Sequence, residues 1–125
     1  MQIAHWCVLI TILIPYSLVF MARIPGITLE KNLVPRIVSD SLTGVKQRLY
    51  WAHLNALEMI APFTAAVIIS QSFSIDQQAI DTLALIFIGF RVGHALMYAA
   101  NRGVLRTLMF AGGMTCIVLL FLEAA

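Results

Sequence analysis

Apolar residues fall into four runs, roughly 3–22, 49–71, 79–100 and 104–122, each close to the ~20 residues that a helix needs to cross a hydrocarbon core. None shows the period-two alternation of barrel strands, and a helix is the other structure that satisfies its own backbone in lipid. The pattern predicts an all-α, four-helix transmembrane bundle. The first run lacks the basic leader and small-residue cleavage pattern of a secretory signal, so it reads as a permanent helix. Residues 23–47 form the one long loop, broken by Pro25, Gly26, Pro35 and Gly44. The second connection, near Asp76, and the third need only a few residues each. With no solenoid-length repeat or low-complexity tract, residues 1–125 read as a single domain.

Composition agrees: 61% of the 125 residues are hydrophobic and 11% charged, and the mean hydropathy is +0.92. A net charge of +2 with scattered basic residues excludes a nucleic-acid surface. The placement of charge says more than its amount. Seven of the eight Lys and Arg (Arg23, Lys31, Arg36, Lys46, Arg48, Arg102 and Arg106) lie in or beside the first and third connections, which share one side of a four-span protein. By the positive-inside rule that side is cytoplasmic, and both termini are outside. Cys7 and Cys116 lie in apolar runs without metal-ligand or CxxC spacing and read as small core residues, so no metal is expected.

Ionisable residues inside a spanning helix cost roughly 2.5–3.5 kcal/mol on insertion scales and face the bundle interior with a partner. On the second helix Arg48, Asn55 and Glu58 share a face, while His53 points away from it. On the third, Arg91, His94 and Tyr98 share another, and Gly89 and Gly93 mark a close-packing face opposite. Measured from the basic ends, Asn55 and His94 lie about 10–12 Å deep and Glu58 and Arg91 about 15–16 Å deep. These helices are antiparallel neighbours, so an ion pair of Glu58 with Arg91 is expected near mid-bilayer, fixing helix register. Pro62 has no N–H and frees the Glu58 carbonyl as a further acceptor. Arg23, Arg48, Arg106, Asn55, His94 and Tyr98 then describe a donor-rich pocket opening toward the basic side, suited to a ligand bearing carboxylates.

The run Arg48-x4-His53-x-Asn55-x2-Glu58-x3-Pro62-Phe63, followed by Arg91-Val92-x-His94-x3-Tyr98 and by Arg106 opening the last helix, resembles the MAPEG family, membrane-associated proteins in eicosanoid and glutathione metabolism. The resemblance spans all four helices. It implies a homotrimer with glutathione, as co-substrate, held between neighbouring subunits near the cytoplasmic face. Carried over by position, Asn55, Glu58, His94 and Tyr98 would hold glutathione, with Arg23 and Arg48 as weaker candidates. Arg106 would stabilise the thiolate, and Thr107 stands near the sulfur. A guanidinium beside a thiol lowers its pKa, and the N-terminal end of a helix adds positive potential. Two positions depart from eicosanoid-forming members: Leu54 replaces an arginine and Phe110 a tyrosine. The chain therefore looks most like the general, often bacterial, microsomal-type transferases and peroxidases, with a bacterial inner membrane as its expected location. The second substrate would be a lipophilic electrophile or lipid hydroperoxide. The alternatives are a non-catalytic lipid-binding scaffold of the same family and a small four-helix drug exporter. An exporter would carry its Glu on the first helix, at an axis reachable from both sides.

Overall fold

The computed structural model describes residues 1–73 and 76–125. Four long helices, α1 (Ile3–Arg23), α4 (Gly44–Phe73), α5 (Gln77–Ala99) and α6 (Gly103–Glu123), are each long and apolar enough to span a membrane. They coincide with the four apolar runs, but α4 starts five residues before the expected boundary because Gln47, Lys46 and their neighbours extend the helix beyond the apolar stretch. The long first connection is not a plain loop. It carries two short helices, α2 (Leu29–Leu33), capped by the Thr28 hydroxyl at 3.3 Å from the Lys31 N–H, and α3 (Pro35–Asp40), with proline at its first position. The second connection, expected near Asp76, falls partly on residues 74 and 75, which lie outside the described residues.

Helix α4 packs against each of the other long helices, with α1 along one side of it and α5 along another; α6 lies mainly on α5. Where α4 meets α5, Phe63 and Phe87 stack fully buried, with ring centroids 3.9 Å apart and planes 4° apart. Around them Ala66, Ala84, Cys7 and Cys116 keep the helices close; both cysteines are free and buried. Small side chains at such positions let backbones approach where lipid supplies no hydrophobic drive. Nearer the basic end, Ala52 and Ala56 of α4 receive Leu18 of α1. The helices are also tied by polar bonds. His53, on the α4 face away from Asn55, donates through Nδ1 to the Pro15 carbonyl of α1 at 2.8 Å. At the other end, Asp81 of α5 accepts at 2.8 Å from the Ala4 N–H, in the first turn of α1, where no intrahelical acceptor exists.

The expected Gly89–Gly93 packing face divides. Gly93 approaches Met109 of α6, whereas Gly89 faces open space within the chain. The closer helix approach is at Gly112, where an added Cβ would lie 2.4 Å from the Phe90 ring. The turn joining α5 to α6 is short and defined. Asn101 takes the left-handed conformation (φ 57°), and the Arg102 N–H closes back on the Met97 carbonyl at 2.9 Å.

One face of α4 has no neighbour. Trp51, Leu54, Glu58, Ala61, Ala65 and Ile68 are all exposed and step by three and four along the helix, the period of a helix-packing seam.

Gly112→Ala should lower stability by roughly 1–3 kcal/mol, because the ring edge of Phe90 has to move. Gly89→Ala, in open space, should be neutral or mildly stabilising. Thermal unfolding of the detergent-solubilised protein separates the two.

Candidate functional site

Helices α4, α5 and the start of α6 enclose a cavity of about 240 Å³ lined by Asn55, His94, Tyr98, Arg106, Thr107 and Phe110. Each residue arrives for a local reason. His94 and Tyr98 are one turn apart on α5 and meet edge to face, centroids 5.5 Å apart. The short Asn101 turn then brings the first turn of α6 back beside them. That places the Arg106 guanidinium over the Tyr98 ring at 4.4 Å, a cation–π contact that holds the charge in position without neutralising it. Phe110, one turn further along α6, stands 6.3 Å from the His94 ring. The Thr107 hydroxyl donates to the Gly103 carbonyl at 3.1 Å, so its oxygen remains able to accept. Among the described residues no carboxylate lines the cavity. Its polar character is that of a cation, a phenol, an imidazole, an amide and a hydroxyl.

Arg91 lies directly behind it. The residue is 2% exposed, and its Nη2 donates to Asn55 Oδ1 at 2.9 Å. Its Nη1 is buried with no partner among the described residues. The expected Glu58–Arg91 ion pair is not formed within the single chain. The two charges are near enough to interact, but Glu58 sits on the exposed seam of α4. The arginine is long enough to reach one turn toward the basic end. There the Asn55 carbonyl oxygen, on the inward face of α4, offers an acceptor. Depth alone paired Arg91 with Glu58; side-chain reach pairs it with Asn55.

The other expected site residues lie elsewhere. Arg48 Nε donates to the Ala99 carbonyl at 3.0 Å, tying the start of α4 to the end of α5. Arg23 Nε donates to Ser39 Oγ at 2.6 Å, and its guanidinium lies 6.0 Å from the Tyr50 ring. Neither lines the cavity, nor does Glu58. Five of the expected residues therefore converge, Asn55, His94, Tyr98, Arg106 and Thr107, with Arg91 supporting them. Phe110, which the sequence marked only as a departure, forms part of the wall. Among the described residues no group of His, Cys, Asp and Glu is placed to hold a metal ion.

On comparison with known protein families, residues 3–125 match the MAPEG family. Neither a curated protein nor a solved structure matches the chain.

Asn55→Ala should cost roughly 2 kcal/mol of stability, since it leaves the buried Arg91 guanidinium without its acceptor. Asn55→Leu combined with Arg91→Leu should cost less than the two single changes added together, because the uncompensated charge leaves with its partner. A double-mutant cycle read by thermal unfolding measures that difference.

Proposed function

Because the chain belongs to the MAPEG family, whose members include glutathione transferases, peroxidases and non-catalytic proteins, we propose that this integral membrane protein is a glutathione transferase with peroxidase capacity. The observation that carries the reading is the convergence of Arg106, Tyr98, His94, Asn55 and Thr107 on one cavity without a carboxylate. Such a set suits an anionic, hydrogen-bonding ligand. Glutathione brings two carboxylates and a thiol, and the thiol becomes a useful nucleophile only as the thiolate.

In this reading Asn55, His94 and Tyr98 bind the peptide, and Arg106 stabilises the sulfur anion from the first turn of α6, where unpaired N–H groups add positive potential. The thiolate attacks an electrophilic carbon, forms the C–S bond and expels the leaving group with its electron pair. With a hydroperoxide it attacks the terminal oxygen; the O–O bond breaks and an alcohol leaves after protonation. A second glutathione then reduces the sulfenic form, giving the disulfide and water. The lipophilic partner arrives laterally from the membrane.

The same reading makes the protein a homotrimer. A cavity of about 240 Å³ is smaller than the ~300–1,000 Å³ of a typical small-molecule site, so a neighbouring copy would complete it. The exposed α4 seam supplies the surface. Glu58 on that seam would face lipid in a monomer, at an expected cost of roughly 2.5–3.5 kcal/mol, and a second copy removes that exposure. Glu58 would then meet either the neighbour or the glutathione it encloses, while Arg48 would reach the ligand from the rim. The basic end, with the long connection and the site, faces the cytoplasm, and a bacterial inner membrane is the proposed setting.

One observation favours the lipid-binding scaffold as a second reading. Helices α1 and α5 flank an apolar cavity of about 520 Å³ lined by residues such as Ile10, Leu13, Leu18, Leu49, Val92 and Leu96. Tight lipid binding with no glutathione binding would decide for it.

Purified protein should turn over glutathione with a chlorodinitrobenzene-type electrophile or a lipid hydroperoxide. Arg106→Ala should lower that rate by roughly 100-fold, and Arg106→Lys by less. An inactive wild type that also binds no glutathione by calorimetry ends the enzyme reading. Ala65→Trp, which places bulk in the middle of the α4 seam, should shift the particle toward monomers in light scattering and lower the rate with it.

A further inference from the structure

The connection between α1 and α4, with the basic ends of those two helices, frames a separate cavity of about 280 Å³, where Arg23, Lys31 and Lys46 converge with the hydroxyl residues Ser41 and Thr43. The convergence is built by the backbone. Lys31 Nζ donates to the Gly26 carbonyl at 3.3 Å and Lys46 Nζ to the neighbouring Pro25 carbonyl at 2.6 Å. Two adjacent carbonyls thus draw two ammonium groups to one place. Gly26 permits the bend with φ of +93°. Arg23 forms the third wall, held through Nε by Ser39, whose own hydroxyl donates to the Pro35 carbonyl at 2.9 Å. Glu30 and Asp40, the two carboxylates of the connection, do not line the cavity. Each ammonium has three donors and spends one on a carbonyl. Three cations turned toward one another without a counter-ion repel, unless an anion occupies the space between them. Lysines serving only as topology anchors have no need to turn in on the chain.

The surroundings state where that anion comes from. Leu29 is 89% exposed, Leu33 82% and Ile37 68%, on helices of five and six residues that are far too short to enter a membrane alone. In a membrane protein such side chains are covered by the boundary between headgroups and acyl chains. That depth puts the cation cavity level with lipid phosphates.

We propose that this cavity binds the phosphate group of an anionic phospholipid, with Lys31 and Lys46 holding its oxygens and Leu29, Leu33 and Ile37 seated among the neighbouring chains. The site is distinct from the Arg106 cavity and does not depend on glutathione chemistry.

The test is native mass spectrometry of the detergent-purified full chain with equal phosphatidylglycerol and phosphatidylcholine. Wild type should retain phosphatidylglycerol preferentially, and the combined Lys31→Ala and Lys46→Ala variant should lose that preference by roughly tenfold. Lys46→Ala alone should show a partial loss, and it stands in if the double variant does not fold. Arg36→Ala removes the same charge from the connection but lies outside the cavity, so it should retain the wild-type ratio. An equal loss in Arg36→Ala means diffuse surface attraction and overturns the site, as does a wild type with no preference. Displacement of the lipid by millimolar inorganic phosphate reassigns the cavity to free phosphate and overturns the lipid assignment. Glutathione binding by calorimetry should be unchanged in Lys46→Ala; a loss there without a loss of lipid preference places the lysine in the glutathione site and overturns the proposal.

Discussion

A guanidinium buried at the heart of an apolar bundle governs how this chain arranges itself. Arg91 has been taken from water into the contact between α4 and α5, and among the described residues only one of its two terminal nitrogens has an acceptor, Asn55. Such a group is tolerated where geometry supplies hydrogen bonds and a field that favours charge. Satisfying it fixes the rotation of α4 relative to α5. Once Asn55 faces Arg91, the three-residue step to Glu58 turns the carboxylate onto the outer seam, and the two-residue step to His53 turns the imidazole toward α1. The polar bond to Pro15 and the exposed Glu58 are thus consequences of one buried contact.

The same contact separates two chemical environments along the bundle. Beyond Arg91, toward the end carrying Asp81, the interior is filled by stacked aromatics and small residues. On the near side the core thins to Leu18, Ala52 and Ala56, and polar side chains line open space. Arg91, bonded to the lining residue Asn55, lies buried between them.

Much of this was legible in the sequence because membrane helices carry strong signals. Four apolar runs and the polar steps along the helices were sufficient to locate the bundle and to gather Asn55, His94, Tyr98 and Arg106 in one place, while Thr107 came only from the family resemblance. Side-chain reach was not legible. Residue-by-residue depth paired Arg91 with Glu58, whereas a long side chain spans a full turn and found Asn55. Nor was the first connection legible as structure. Proline and glycine marked its breaks, but the short α2 and α3 between them depend on Thr28 as cap and Pro35 as initiator rather than on any periodicity. Arg23 and Arg48, expected at the pocket from their level in the membrane, each hold a local acceptor within the chain that sequence spacing does not reveal.

The turn at Asn101 carries a consequence for how the chain can vary over descent. Tyr98 and Arg106 belong to different helices but are registered by a single closed turn. One residue inserted or deleted there would rotate α6 by about 100° relative to α5. The guanidinium would swing out of the cavity while every helix remained intact. A change of length in the first connection, where α2 and α3 lie between α1 and α4, leaves that spacing untouched. For Tyr98 and Arg106 to stay together, the spacing between the last two helices is the length that descent has to preserve.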